Sequence, residues 1–201
     1  HGALFVIACV TSLGGAPLLL DEWGVDAAYS GTQKCLSCPP GLAPITMNDR
    51  ARKALHERKT KVPSWYLDLT MIERYWGKER FYHHTAPINM VYALREALRI
   101  IAEEGLEARW ARHDLNARAF IAGCSAMGLE PFAQEGYRLP SLVTIRVPQG
   151  IEDARVRQFL LDEFKIEIGG GLGPVKGQIW RVGLMGFGSN RKNVSLCLTA
   201  L

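Results

Sequence analysis

Residues 3–10, ALFVIACV, form an unbroken apolar run with β-branched side chains, as is typical of a strand covered on both faces. Glycines and a proline interrupt the chain soon after this run. Residues 25–34, VDAAYSGTQK, and residues 41–48, GLAPITMN, then predict two further short strands. The beginning of the chain therefore predicts a sheet built from buried strands.

Helical patterns follow these strands. Asn48 or Asp49 is placed to cap a short basic helix. Residues 88–105 have strong helical spacing and end in a glycine, the residue type that most often ends helices. Residues 106–128 predict a second long amphipathic helix, which is again followed by a glycine. Strands combined with helices predict an α/β fold.

The remainder of the chain has a different pattern. A strand, a helix, two strands and a closing helix are predicted over residues 141–148, 151–164, 166–170, 178–184 and 190–201. We therefore expect a larger α/β part over residues 1–104, ending with the long helix, and a smaller α+β part over residues 105–201.

The composition is that of an ordinary globular protein, since 48% of the 201 residues are hydrophobic and 22% are charged. The net charge of +4 is small, and no basic block indicates a nucleic-acid partner. The five cysteines are irregularly spaced, and several lie in apolar runs. This usage favours reduced thiols in a cytoplasmic protein over a disulfide framework.

Residues 2–20 carry no charge, and this stretch is long enough to raise the possibility of a membrane span. Its glycines and proline favour a buried strand followed by a loop, so we expect no membrane partner. Because the chain begins with His1 rather than Met, we expect a fragment of a longer protein, in which any targeting signal lies outside the sequence.

Residues 30–41, SGTQKCLSCPPG, contain two chemical candidates, a cysteine pair and a lysine. The pair Cys35 and Cys38 is a weak zinc signal by itself, because a structural zinc site usually has four ligands. His83 and His84 are adjacent, so we do not expect them to converge on one ion. A redox pair normally begins a helix, whereas two prolines follow here. We therefore expect no metal site, and we interpret the cysteines as packing residues.

Lys34 is the stronger candidate. It follows a run of uncharged hydrogen-bond donors, which suit an anionic cofactor, at Ser30, Gly31, Thr32 and Gln33. An amine held in such a turn can act as a nucleophile towards an aldehyde. These properties suit the lysine of a pyridoxal phosphate site, although a solvated surface lysine remains the alternative.

A family resemblance favours the first interpretation. Residues 4–45, 80–98 and 166–186 resemble class V aminotransferases, in particular the alanine–glyoxylate and serine–glyoxylate (serine–pyruvate) aminotransferases. The resemblance implies fold type I of the pyridoxal phosphate enzymes, with the C-terminal part of a large, mostly parallel-sheet domain and a small α+β domain. Family chains are longer, and this chain resembles their second half.

The resemblance also implies roles for individual residues. Lys34 matches the catalytic lysine, which bonds covalently to the cofactor and moves the substrate proton. Gln33 matches a contact to the cofactor phosphate, and Tyr82 and Thr85 match phosphate ligands donated by the neighbouring subunit, which implies a homodimer. Arg181 matches the arginine that grips the substrate carboxylate, a group that its planar fork fits.

One position departs from the family pattern. Ala8 stands where the family has an aspartate that pairs with the pyridine nitrogen of the cofactor. That carboxylate keeps the nitrogen protonated, and the charged ring accepts the electrons that the substrate Cα releases. Cys9 is not expected to replace it, because adjacent strand residues point to opposite faces.

The sequence thus predicts an aminotransferase that moves an amino group from alanine or serine to glyoxylate or pyruvate, impaired by Ala8 and by truncation. One alternative is a non-catalytic or truncated relative that keeps the fold and the dimer surface. Another is a different class V reaction catalysed by a lyase or desulfurase, although no mobile cysteine loop indicates a desulfurase.

Overall fold

The computed structural model describes residues 2–201, which form two sheets and several helices. The strands are β1 (Val6–Ala8), β2 (Ala27–Tyr29), β3 (Ile45–Met47), β4 (Leu142–Arg146), β5 (Gly169–Gly170) and β6 (Ile179–Gly183). The α-helices are α1 (Asp49–His56), α2 (Leu69–Trp76), α3 (Ile88–Glu104), α4 (Leu106–Ala126), α5 (Asp153–Phe164) and α6 (Arg191–Ala200). Single 3₁₀ turns cover Gly173–Val175 and Gly186–Gly188.

The first sheet has the strand order β1-β2-β3 and contains the three strands predicted at the beginning of the chain. β1 and β2 are parallel, with Ala8 opposite Tyr29, whereas β3 is antiparallel to β2. All three are shorter than the apolar runs that predicted them. The carboxyl ends of β1 and β2 lie side by side, and the turn that carries Lys34 begins there.

The prediction that β1 is covered on both faces is wrong. Cys9 packs beneath the sheet with Val25 and Ala28, whereas Val6 is 55% exposed and Ala8 is also exposed. The physical reason is that, within residues 2–201, packed side chains lie against only one face of β1. The other face, which contains Val6 and Ala8, stays open.

The second sheet is antiparallel, with the order β4-β6-β5, and α4 and α6 pack near it. Its core is apolar and includes Phe120, Ile145, Leu160, Trp180 and Val182. The predicted strand, helix, strands and closing helix are all confirmed in this part of the chain, although β5 is only two residues long.

Two predicted helix boundaries are confirmed. Asn48 caps α1, because its side-chain Oδ1 accepts a hydrogen bond from the N–H of Ala51 at 2.9 Å. Gly105 separates α3 from α4 at a φ of 81°, a conformation that favours glycine. The division of the chain into two domains at this glycine stays a prediction.

The cysteines are packing residues, as predicted. All five are free and buried, and Cys38 packs with Leu36, Ala97 and Ile101. Burial raises the pKa of the Cys35 thiol, which donates a hydrogen bond to the carbonyl of Thr11. Among residues 2–201, none of the helices is both long and apolar enough to cross a membrane.

Candidate active site

Lys34 lies in a tight turn that begins at the carboxyl end of β2. The N–H of Ser37 donates to the carbonyl of Lys34 at 2.9 Å, and the N–H of Cys38 donates to the carbonyl of Thr32 at 3.0 Å. The hydroxyl of Thr32 closes the turn further by donating to the carbonyl of Pro39 at 2.8 Å. The Lys34 side chain is half-buried, whereas Thr32 beside it is buried. The backbone therefore holds the lysine in one place.

A pocket of about 750 Å³ adjoins this turn. Its polar lining includes Ser30, Gly31, Gln33, Tyr66 and His84. The Gln33 amide lies so close above Gly31 that a Cβ at residue 31 would stand 2.6 Å from Gln33 Oε1. A side chain at residue 31 would therefore displace the side-chain amide of Gln33. The uncharged hydrogen-bond donors of residues 30–33 thus form a compact polar surface next to Lys34.

Arg109 of α4 holds the lysine turn from behind. Its Nη2 donates to the carbonyl of Cys35 at 2.6 Å, and its Nε donates to the carbonyl of Gly14 at 2.9 Å. Its Nη1 pairs with Glu104 at 2.6 Å, and the whole residue is only 3% exposed. One buried guanidinium thus connects the turn after β1 with the turn that carries Lys34.

His113, one helical turn further along α4, is also buried and bridges two backbone groups. Its Nδ1 lies 2.8 Å from the carbonyl of Arg109, and its Nε2 lies 2.9 Å from the amide nitrogen of Gly186. A carbonyl can only accept and an amide N–H can only donate, so the ring is neutral with its proton on Nδ1. Burial lowers the pKa of His113, in agreement with this state.

The 3₁₀ turn that contains Gly186 touches the lysine turn directly. The N–H of Phe187 donates to Ser37 Oγ at 2.9 Å, and Gly186 has a φ of 56°. A Cβ at Gly186 would lie 1.9 Å from Ser37 Oγ and 2.7 Å from the carbonyl oxygen of Cys35. Only glycine fits here, and this close approach joins the lysine turn to the segment that follows β6.

Arg181 occupies the middle of β6, opposite Thr144 on one side and Gly169 on the other. It is half-buried, and its Nε donates to the carbonyl of Gly170 at 2.7 Å. Within residues 2–201 its two Nη groups have no hydrogen-bond partner, so the outer edge of the fork is available to a ligand. After Arg181 the chain runs along β6 into the turn that contains Gly186, and that turn contacts the lysine turn.

Tyr82 and Thr85 are brought together by a hydrogen bond of 3.0 Å between their hydroxyl oxygens. Both are exposed, and Tyr82 is 68% exposed. Neither lines the pocket beside Gln33. The two hydroxyls therefore form an exposed pair that lies outside the pocket lining.

His83 and His84 hydrogen-bond to each other. Their Nδ1 atoms lie 2.8 Å apart because His83 is buried against Trp65, whose carbonyl lies 3.0 Å from His83 Nε2. The rings of His83 and Trp65 also pack against each other at an angle of 30°, with centroids 4.1 Å apart. Within residues 2–201, no three metal-ligating side chains are grouped to hold an ion.

The side chains around the turn fit part of pyridoxal phosphate. The Lys34 amine and the polar surface beside it suit the aldehyde and the phosphate, but Ala8 offers nothing to a ring nitrogen. Cys9 does not replace the missing carboxylate, as predicted, because it points to the buried face and donates to the carbonyl of Tyr29 at 3.1 Å.

Asp26 does not replace it either. It lies three residues before Tyr29, which places it about 10 Å from the Ala8 end of the sheet. It is engaged there by the N–H of Phe5 at 2.7 Å and by Arg50 at 2.7 Å. The hydrogen bond from Phe5 is the main cause that lowers the pKa of Asp26. The side chains of this chain therefore suit the aldehyde and part of the phosphate, and none of those described suits the ring nitrogen.

The sequence singled out Lys34, Gln33, Tyr82, Thr85 and Arg181 but missed the residues that hold the lysine turn. Arg109 and Gly186 contact that turn directly, whereas Glu104, Arg112 and His113 contact Arg109 or the turn that contains Gly186. Arginines and a histidine at helical positions i, i+3 and i+4 on one otherwise buried face are a detectable signal of this kind.

Comparisons with known proteins show the family of this chain. The family model described as "Aminotransferase class-V" matches residues 1–185. The (S)-ureidoglycine–glyoxylate transaminase of Bacillus subtilis is 41% identical, over 99% of this chain and 52% of that protein. The alanine–glyoxylate aminotransferase of Callithrix jacchus is 42% identical, over 100% of this chain and 50% of that protein. The chain thus spans about half the length of these curated relatives.

Solved structures show the same fold. The alanine–glyoxylate aminotransferase of Nostoc sp. superposes with a TM-score of 0.97 at 51% identity, over 99% of this chain and 53% of that one. The pyridoxamine–pyruvate aminotransferase of Mesorhizobium loti gives a TM-score of 0.93 at 30% identity, over 100% of this chain and 52% of that one. The fold is therefore the α/β fold of these enzymes, fold type I as expected.

Proposed function

This chain belongs to the class V aminotransferase family, and we propose that it acts in a pyridoxal-phosphate-dependent aminotransferase. The reaction moves an amino group from a small amino acid, alanine or serine, to a 2-oxo acid. Two of the similar proteins share glyoxylate in their names, although their amino donors differ, and this supports glyoxylate as the acceptor. The observation that carries the proposal is the hydrogen-bonded turn that holds Lys34 directly after Gln33, which lines a pocket.

Each side chain has a defined task in this proposal. When bound, pyridoxal phosphate would supply an aldehyde carbon that takes up the amino group and a ring that withdraws electrons. Lys34 holds the cofactor aldehyde carbon and moves the proton that leaves the substrate Cα. Gln33 binds the phosphate, and Arg181 grips the substrate carboxylate with the edge of its fork that is left free by Gly170.

Tyr82 and Thr85 serve the partner copy in a homodimer. Their hydroxyls are 3.0 Å apart and exposed, so the hydroxyl whose proton is not used in their mutual hydrogen bond can donate to a phosphate oxygen. They do not line the pocket next to Gln33 of their own chain. This arrangement supports donation to a second subunit.

Ala8 favours a second candidate, a relative that holds the cofactor without rapid turnover. The aldehyde and phosphate contacts do not depend on a carboxylate at residue 8, whereas removal of the Cα proton does. The two candidates therefore predict the same affinity for the cofactor but different rates of amino transfer. No feature of the described residues favours a lyase or a desulfurase over them.

Covalent capture of the cofactor tests the proposal. The protein is incubated with pyridoxal phosphate, reduced with borohydride and digested, and the labelled peptide is identified by mass spectrometry. We expect the label on Lys34, and we expect it to be lost in Lys34→Arg, which keeps the positive charge. Exposed Lys53 and Lys61 serve as internal references. A label spread equally over these three lysines contradicts the proposal.

A further inference from the structure

Two buried polar side chains of α4 take no part in the proposed reaction. Arg109 and His113 are 3% and 0% exposed, although both are types that normally reach solvent. Burying a guanidinium is unfavourable unless every donor finds a partner. Arg109 satisfies its donors with two backbone carbonyls and one carboxylate, all outside its own helix.

The carbonyl partners of Arg109 are placed where they matter for Lys34. The carbonyl of Cys35 belongs to the residue that directly follows Lys34, and Gly14 belongs to the turn that follows β1. Arg109 therefore ties the lysine turn to the turn that follows β1. A single rigid fork that bridges both carbonyls fixes the distance between the two turns.

Arg112 provides a comparison on the same helix. It shares the Glu104 carboxylate with Arg109, but its other donors reach the carbonyls of Gly186 and Ser189 at 3.0 and 2.5 Å. It makes no hydrogen bond to the turn that carries Lys34. The hydrogen bond from Arg112 is the main cause that lowers the pKa of Glu104 to about 2, so the carboxylate stays ionised between the two arginines.

We propose that Arg109 is a positioning residue for Lys34: its guanidinium fixes the lysine turn against the end of β1, so that the amine meets the cofactor aldehyde in one geometry. This inference rests on the proposed function, because only that function gives the amine a target. Misplacing a reacting group by about 1 Å can cost about hundredfold in rate, so a side chain behind the turn can control the reactivity of the amine.

The test compares Arg109→Lys with Arg112→Lys as the matched control. Both variants keep the charge next to Glu104 and lose the planar fork, but only the first releases the lysine turn. Initial labelling by pyridoxal phosphate and borohydride is measured at Lys34 relative to exposed Lys53 in each protein. We expect the ratio to fall about tenfold in Arg109→Lys and to stay unchanged in Arg112→Lys.

Hydrogen exchange gives a second readout that needs no cofactor. The amides of Ser37 and Cys38 close the lysine turn, and they should exchange faster in Arg109→Lys than in Arg112→Lys at matched thermal stability. If Arg109→Lys does not fold, Arg109→Gln, which can still donate to one carbonyl, replaces it. Equal labelling ratios and equal exchange rates in the two arginine variants overturn the inference.

The two proposals fail in different ways. If Lys34 of the unaltered protein is not labelled in preference to Lys53, the proposed function is wrong. The exchange measurement then still tests whether Arg109 fixes the lysine turn, because the hydrogen bond from Arg109 to Cys35 is independent of any ligand. If the amides of Ser37 and Cys38 exchange faster only in Arg109→Lys, Arg109 fixes the lysine turn even though the proposed function is wrong. Unchanged exchange contradicts that role of Arg109.

Discussion

Replacing Gly186 by alanine should destabilise the protein strongly, because the residue is constrained in two independent ways. Its φ of 56° costs an L-residue about 1 kcal/mol. The new Cβ would also stand 1.9 Å from Ser37 Oγ and 2.7 Å from the carbonyl oxygen of Cys35. The hydroxyl can rotate away only by giving up the hydrogen bond from the N–H of Phe187, worth about 1 kcal/mol.

The carbonyl of Cys35 cannot rotate away, because it is backbone and is held by Arg109. Moving it is an overpacking cost of about 1–3 kcal/mol. We therefore expect Gly186→Ala to lower the free energy of unfolding by about 4 kcal/mol, the combined size of these effects. Such a loss is a large fraction of the stability of an ordinary domain.

The assay is urea unfolding at equilibrium, followed by tryptophan fluorescence, with the slope against urea checked for constancy. Gly188→Ala is the matched control, since residue 188 lies in the same 3₁₀ turn, has open space around its Cβ position and has no positive φ. We expect the control to change stability by less than about 1 kcal/mol. Equal effects of the two substitutions would refute the close approach of the two turns.

Three further predictions concern charge and chemistry. The pKa of Glu104 is lowered to about 2 from 4.5, mainly by the hydrogen bond from Arg112. The ionised carboxylate therefore stabilises the folded protein above pH 4.5, and this stabilisation is lost as the pH falls towards 2. In urea titrations at several pH values, Glu104→Gln should remove about 3 kcal/mol of this acid dependence of the free energy of unfolding. Arg181→Ala should weaken amino-acid binding by about 1.5–3 kcal/mol with pyridoxal phosphate affinity unchanged in a fluorescence titration, and an equal loss of both would indicate a structural role. Ala8→Asp should speed amino transfer from alanine to the bound cofactor at least about tenfold in stopped flow, and an unchanged rate would mean that another group serves the ring nitrogen.

The sequence predicted the order of the elements well because local signals define it. Asn48 caps α1 and Gly105 ends α3, and both features depend only on side chains or φ values within a few residues. The burial of β1 was predicted wrongly from an equally clear signal. An apolar run shows that a strand can be covered on both faces, but the covering depends on segments far away in the sequence.

The same distinction applies to the site. Lys34 and Arg181 were predicted from a family resemblance, whereas Arg109 and Gly186 acquire their meaning from partners 73 to 95 residues away in the chain. A buried arginine in the middle of a helix is a signal, but it names no partner. Only the folded chain shows that its fork reaches both the turn after β1 and the turn that carries Lys34.

The chain has Arg109 behind the lysine turn but has no carboxylate at residue 8. This combination separates two parts of the proposed chemistry. Arg109 still holds the carbonyl of Cys35 at 2.6 Å, so the amine of Lys34 keeps a fixed position even though Ala8 cannot hold a charge on the cofactor ring. Capture of an aldehyde depends on the first feature and removal of the Cα proton depends on the second. Arg109→Lys should therefore reduce capture by a protein that already has Ala8, whereas Ala8→Asp should leave capture unchanged and raise only the rate of amino transfer. If the two substitutions instead change capture and transfer in the same proportion, the lysine turn and the end of β1 act as one unit, and the separation fails.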